Sequence, residues 1–486
     1  MSELAARKKI DLKWLHTIIV FLLMFGFGQL PPIAPITELG MKVLGVFLGM
    51  LYGWSTCGIL WPSLLGLIGM GFAGTFPSIS KTISGGFSAD IFIFMMFFFI
   101  LIEALNNCGL ITFITNWLLT RRMINGRPWL FATILFFIGY LLCACGQFYA
   151  AIFVVWGMWY DIFKRIGAKP FEKMPMLMLT GTVIAVNLGG MIFPFLNAPL
   201  VMLGAYSAMT NEAINFAKYF IFVMPLTILF YLEFFALCKY VFKVDLTPLN
   251  QIDPQSILGG GELRINRRQK AMGLYFILVL IVLFIPGCFP KSWAIVQLLS
   301  NFGNTGITIT AIIGLLLIRV DGEPLLDFRK AAASGINWDI LMMIIMITMM
   351  SGNLSSEATG ISAFIGQMLT PMLGGKSFFI FIVIYITSAA LLTNVMNNVV
   401  VCILFMPVLI AFGPALGVDN WVIMILLVIA CQLAILTPAA SPAAAILFAN
   451  TEWLELRRVI KYIVPTFIVW LLTLIFLGTP IVSMLF

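Results

Sequence analysis

SFFIFIVIYITSAALLTNVMNNVVVCILFMPVLIAF, residues 377–412, is a membrane-compatible run with Thr393, Asn394, Asn397 and Asn398 set in its middle. A second arm, WVIMILLVIACQLAILTPAASPAAAILFAN (421–450), is interrupted by Pro438 and Pro442 around Ala439, Ala440 and Ser441. An amide at the bilayer midplane is costly without partners, and a proline frees backbone carbonyls that need partners too. Such breaks are tolerated where backbone lines a cavity. Amides and a broken helix close together therefore point to a carrier's central site. Two plainer readings are that the amides only bind helices together and that the prolines only kink one helix. A duplicate of the pattern, described below, favours the site.

The composition sets the class. The chain has 486 residues, is 62% hydrophobic and 10% charged, and carries 44 Phe. Its apolar runs repeatedly exceed the roughly 18 residues that mark a membrane span, so it reads as a multi-pass, all-α membrane protein. The formal charge of +8 then reports where loops sit relative to the membrane and does not point to nucleic acid. The basic start, MSELAARKKIDLKW, precedes an apolar run with no small-residue cleavage site before Pro31 and Pro32, and reads as a retained first span. The eight Cys form no CxxC pair and read as small hydrophobes, and the single His, His16, is a poor candidate for catalysis or zinc.

Apolar segments occupy 15–30, 41–56, 57–75, 90–119, 129–163, 175–209, 217–238, 271–288, 296–319, 338–370, 377–411, 420–449 and 462–484. Basic residues crowd certain gaps: Arg7 to Lys13, Arg121 to Arg127, Lys164 to Lys173, Lys239 to Lys270, Arg319 to Lys330 and Arg457 to Lys461. The positive-inside rule places these in the cytoplasm. Segment 129–163, basic on both sides, then enters and returns on the cytoplasmic side. Segment 377–411, flanked by 371–376 and GPALGVDN, enters and returns on the outer side. The other eleven segments alternate from a cytoplasmic N-terminus to an external C-terminus in the cell membrane.

The two hairpins belong to a duplication. GGFSADIFIFMM (85–96) resembles SGINWDILMMII (334–345), GRPWLFATILFFIGY (126–140) matches GGKSFFIFIVIYITS (374–388), and GGMIFPFLNAPLVMLGAY (189–206) matches the region of Pro438 and Pro442, with Pro199 opposite Pro442. Each half holds a long span, a re-entrant hairpin and a broken helix, in opposite orientations. Inverted repeats of this kind supply the outward and inward states of alternating access. The expected divisions are 1–80, N-terminal scaffold spans; 81–245, the first half; 246–270, a cytoplasmic linker; 271–332, scaffold spans of the second half; and 333–486, the second hairpin, broken helix and final span.

At the centre, the first hairpin turns at LLCACGQFYAA (141–151), offering Gln147 and Tyr149, and the second at LLTNVMNN (391–398). Unpaired amides and positive ends of helix fragments favour an anion without Lys or Arg. The oxygens of Asn394, Asn397 and Asn187 offer an alternative seat for a cation. Asp90 and Asp339 stand in first turns, where a carboxylate offsets the helix dipole. Glu103 lies beside Asn106 and Asn107, where pairing with a neighbour is favoured over proton coupling, and Glu233 is expected to be solvated near Lys239. No phosphate-binding loop or nucleophile–base pair is present, so the chain does not read as an enzyme or an ATPase.

Over nearly its whole length the chain resembles the divalent anion:sodium symporter family of the ion-transporter superfamily. In that family each hairpin ends in Ser-Asn-Thr, with a proline ten residues after the Ser. Counting back from Pro407 places Asn397, Asn398 and Val399 on the second triplet; Gly146, Gln147 and Phe148 fall on the first, with Trp156 at the proline position. The family's Thr-Pro-Pro-Asn falls on Asn197, Ala198, Pro199 and Leu200, and on Ala440, Ser441, Pro442 and Ala443. The resemblance implies about eleven transmembrane helices, two opposed hairpins, a scaffold-mediated homodimer and elevator-type transport of a small organic anion such as a di- or tricarboxylate. It implies substrate contacts at Gln147, Thr393, Asn394, Asn397, Asn398, Pro199, Ser441 and Pro442. Sodium, where used, would lie near Gln147, Asn187, Asn397 and Asn398. The lost hydroxyls point instead to exchange or proton coupling, and Phe148 to a smaller or less symmetric ligand than a dicarboxylate held at both ends. Two other functions fit the sequence: a non-transporting membrane receptor on the same fold, and a sodium-coupled symporter of sulfate or another inorganic anion.

Overall fold

The computed structural model describes residues 12–110, 113, 126–194, 197–210, 212–251, 264–290, 292–373, 377–438 and 440–485. The basic residues Arg7, Lys8, Lys9, Arg121 and Arg122, and residues 252–263 of the expected linker, lie outside them.

Both hairpins form where the sequence places them. The second consists of Phe378–Leu392 and Asn398–Phe412. Ser377 opens the first leg and Asn397 the second, where Asn397 Oδ1 accepts from Val399 N at 3.0 Å, so each exposed helix start has a side-chain acceptor. Across the legs, Tyr385 Oη donates to the Phe405 carbonyl at 2.8 Å. The first hairpin consists of Pro128–Ala144 and Phe148–Ile166. Proline suits its first position because that N–H has no helical partner, and Gly146 makes the turn with a φ of +85°.

Each half also holds a helix in two pieces: Lys173–Gly189 with Asn197–Thr210, and Asn420–Gln432 with Pro442–Ala449. The pieces interlock across the halves. Asn197–Thr210 packs on Asn398–Phe412 and Asn420–Gln432, while Pro442–Ala449 packs on Lys173–Gly189. Within the first half, hairpin and broken helix meet on a glycine seam of the kind that lets membrane helices approach closely. A Cβ at Gly139 would press on Val186, one at Gly181 on the Phe136 ring, and one at Gly189 would overlap the Tyr140 carbonyl.

Among the described residues five helices are long and apolar enough to cross a membrane alone, and a bent pair, Phe328–Gly335 with Trp338–Leu354, makes a sixth if it is one span. The other apolar helices are shorter. Two expected long segments are divided. The described part of 90–119 forms Asp90–Asn107, followed by a turn in which Gly109 has a φ of +69°; residues 111, 112 and 114–119 lie outside the described residues. Residues 338–370 form Trp338–Ser355 and Ile361–Leu373, separated by a 3-10 turn at Glu357–Thr359 and a left-handed Gly360. The N-terminal part of the chain explains this second break. Thr37 donates from its hydroxyl to the Ala358 carbonyl at 2.7 Å and from its backbone N–H to Thr359 at 3.1 Å, so the freed carbonyls are satisfied. Asp90 and Asp339 lie in first turns, as expected.

Each half closes on a helix that passes into a π-turn: Phe216–Ala236 into Leu237–Val241, and Leu456–Thr473 into Leu474–Gly478. These helices touch at Phe230 and Trp470, whose rings stack at 5.3 Å and whose indole N–H donates to the Phe230 carbonyl at 2.9 Å. One turn on, Thr473 Oγ1 donates to Glu233 Oε1 at 2.6 Å. Both pairs are 240 residues apart, close to the offset of the duplication, so matched helices of the two halves meet here. Glu233 is therefore not the solvated acid the sequence suggests. Its Oε2 is enclosed without a partner among the described residues. Glu103 accepts from Ser334 Oγ at 2.7 Å and Asn107 Nδ2 at 3.3 Å, the neighbour pairing favoured for it.

Candidate functional site

The break in the second half strips backbone groups of helical partners, and the tip of the second hairpin supplies replacements. Thr393 Oγ1 donates to the Cys431 carbonyl at 2.8 Å. Asn394 Nδ2 donates to Ala390 at 2.7 Å and Leu433 at 3.3 Å, while its Oδ1 accepts from Ile435 N at 3.0 Å and Leu436 N at 2.7 Å. Thr437 Oγ1 closes the loop by donating to the Asn394 carbonyl. Ser441 Oγ donates to Ala434 at 2.7 Å and accepts from Ala444 N at 3.2 Å, opening the short helix that has Pro442 at its first position. Asn394 is 3% exposed and Thr393 fully buried. A buried amide is tolerated there because it pairs the backbone groups it faces, the Leu433 carbonyl and the Ile435 and Leu436 N–H groups.

Gln432, at the last turn before the break, joins three elements. Its carbonyl accepts from Asn187 Nδ2 of the first broken helix at 2.8 Å, and its Oε1 accepts from Asn398 Nδ2 of the second hairpin at 2.6 Å. Asn398 Oδ1 turns back to Val399 N at 2.9 Å. The break in the first half is supported from the closing helix, where Tyr219 Oη donates to the Met191 carbonyl at 2.9 Å. A further bond between the halves runs from Asn450 Nδ2 to Tyr160 Oη at 2.8 Å.

Thr393, Asn394, Asn397, Asn398 and Ser441 thus gather at one crossing with Asn187. Gln147 and Pro199 have no hydrogen bond to that cluster among the described residues. Gln147 precedes the second leg of the first hairpin without capping it, and Pro199 is buried in the first turn of Asn197–Thr210. Gln432 and Tyr219 were not singled out by the sequence. A glutamine directly before the Leu433–Ala434 break was the available signal for the first; nothing local marks the second. A cavity of about 860 Å³ lies elsewhere, bordered by Asp90, Glu212, Asn215, Gln297, Asn301 and Asn304. None of the expected site residues lines it. Among the described residues no group of three His, Cys, Asp or Glu is placed to hold a metal ion.

Interlocked broken helices, paired hairpins and an amide-lined crossing define a membrane transporter built from inverted repeats. The model of the citrate transporter family matches residues 50–302, just over half of the chain, and the protein belongs to that family, within the ion-transporter superfamily. It is a transporter and not an enzyme. Its fold is similar to the crystal structure of the YdaH transporter of Alcanivorax borkumensis, described as having an unusual topology. The TM-score is 0.54 at 14% identity, over 96% of this chain and 97% of that one. No curated protein matches the chain.

Proposed function

We propose that the protein is an elevator-type secondary transporter of a small organic anion, a di- or tricarboxylate, driven by exchange or by a coupling cation. The observation that carries this reading is the crossing at Gln432, where the two broken helices and the second hairpin meet through neutral amides. Helix starts at Phe148 and Asn398 bring positive dipole ends to the hairpin tips. A carboxylate held there needs no Lys or Arg. Asn397 and Gln147 retain donors for such a ligand; Thr393, Asn394, Asn398, Ser441, Pro199 and Pro442 build the wall behind them.

In reconstituted vesicles, labelled citrate, malate and succinate are expected to accumulate when the same or a related anion is preloaded. With Gly146, Gln147 and Phe148 at the first tip, where the related triplet carries hydroxyls, sodium stimulation should be weak or absent. Steep, saturable activation with a Hill coefficient near two would overturn the sodium inference, and failure to move any carboxylate would overturn the substrate class.

The proposed arrangement in the cell membrane has a cytoplasmic N-terminus and linker, eleven crossings, an external C-terminus and a homodimer formed by the scaffold spans 1–80 and 271–332. Single cysteines at 164–173, in a background lacking the native ones, should resist an impermeant reagent in intact cells. Those at 412–419 should react. External labelling at 164–173 would sink the inverted arrangement.

A further inference from the structure

Three stretches of the chain meet at one end of the fold. The end of Phe148–Ile166 and the turn after it lie against the loop that follows Pro442–Ala449. There the Phe163 and Trp453 rings are 5.2 Å apart, and Phe171 N donates to the Trp453 carbonyl at 3.2 Å. The third stretch follows Phe216–Val241 and joins through Phe242 and Tyr462, whose rings are 5.1 Å apart. Residues 161–173, 239–245 and 452–461 together carry nine Lys and Arg against five Asp and Glu. Three of those acids are engaged close by. Glu455 pairs with Arg458 at 2.8 Å, Glu172 accepts from Lys169 N at 3.1 Å, and Asp245 accepts from Thr247 N at 2.9 Å. Cations here also rest on neutral groups: Lys173 Nζ donates to the Lys243 carbonyl at 3.4 Å and Arg458 to that of Phe171 at 3.0 Å. Lys239 Nζ stands 6.0 Å from the Trp129 ring and 5.4 Å from that of Tyr240.

Lys173 opens Lys173–Gly189, and Arg457 and Arg458 lie in the first turn of Leu456–Thr473; neither first turn holds an acid. A cation at a helix start opposes the dipole, so these side chains add to a positive end instead of cancelling a negative one. The same end is not purely polar. Phe171, Tyr240, Val241 and Leu456 are exposed among the cations. Phe216–Val241 and Leu456–Leu485 are each long and apolar enough to cross a membrane, so Tyr240 and Leu456 stand at the ends of such crossings. Basic residues alone are expected on a cytoplasmic face; cations interleaved with exposed aromatic and aliphatic side chains match an amphiphile. We infer that this end is a docking surface for anionic phospholipid headgroups, with the phosphates held by its cations and the acyl chains against Tyr240, Val241 and Leu456. Such binding is independent of which anion is transported.

The test is tryptophan quenching of the full-length protein in detergent by brominated phosphatidylglycerol, with brominated phosphatidylcholine for comparison. Trp129 and Trp453 report from within the patch. Phosphatidylglycerol should quench at the lower concentration, and its advantage should shrink as salt rises. Combining Lys239→Gln, Arg457→Gln and Lys461→Gln removes three charges and leaves much of each stem. Each lost charge should weaken the anionic lipid roughly five-fold, and the three together on the order of a hundred-fold. Gln at Arg319, Arg329 and Lys330, a basic stretch elsewhere, should leave binding unchanged. A parental melting temperature in neutral detergent separates lost binding from lost folding, and the three single variants serve where the triple does not fold. Equal quenching by the two lipids, or equal losses in the two triple variants, would overturn the inference. Full competition by soluble glycerol 3-phosphate would also overturn it, by making the patch a site for free anions.

Discussion

Asn394→Ala is expected to abolish most of the yield of folded, monodisperse protein. The side chain holds the Leu433 carbonyl and the Ile435 and Leu436 N–H groups in a break that has no helical partners for them. A backbone group left buried and unpaired costs about 1–3 kcal/mol. The Ile435 N–H and the Leu433 carbonyl keep a bond to each other at 3.2 Å, so the Leu436 N–H bears the full loss and the other two part of it. Against a net stability of about 5–15 kcal/mol for a folded protein, that loss is large. Asn394→Asp keeps an acceptor for the two N–H groups and loses the donor to Leu433, so it should fall between Ala and the parent. Thermal melting in detergent and size-exclusion profiles measure the effect. A melting temperature for Asn394→Ala equal to the parent's would show that the second hairpin does not hold this break.

Gly189→Ala should destabilise the first half nearly as much. The added methyl would overlap the carbonyl oxygen of Tyr140 and crowd its C and Cα atoms. Those are backbone atoms of the opposing helix, so no rotamer change relieves the clash and the two helices must separate. Overpacking of this kind costs about 1–3 kcal/mol and more where backbone must move. Gly181→Ala is a milder case because its obstacle is the Phe136 ring. Gly157, within Phe148–Ile166, has nothing within 4 Å of the corresponding position, so Gly157→Ala should be neutral or stabilising by up to about 1 kcal/mol. Melting temperatures of the three variants, with counterflow on those that fold, should rank Gly189 far below Gly181 and Gly157. A Gly189→Ala protein as stable as the Gly157 variant would refute the tight seam.

The architecture was legible because its signals are local. Pro438 and Pro442 mark one break, Gly146 and the Thr393–Asn398 cluster mark the hairpin tips, and the repeated motifs match one half to the other. What was not legible depends on partners far away in sequence. The split at Glu357–Thr359 is held by Thr37, over 300 residues earlier, and no periodicity within 338–370 announces it. Glu233 reads as solvated because Lys239 follows it, yet its partner is Thr473 on the matched helix. Buried amides drew attention to the stretch that forms the crossing without showing what each one does. The sequence cannot distinguish an amide that satisfies a broken backbone, as Asn394 does, from one that joins separate elements, as Gln432 does. That difference lies in which carbonyls the fold brings within 3 Å.

The meeting of Phe230 with Trp470, and of Glu233 with Thr473, also bears on motion. Neither helix belongs to the scaffold spans 1–80 and 271–332 of the proposed elevator, so the ring stack and the two hydrogen bonds between them would tie the moving parts of both halves into one body that travels as a unit.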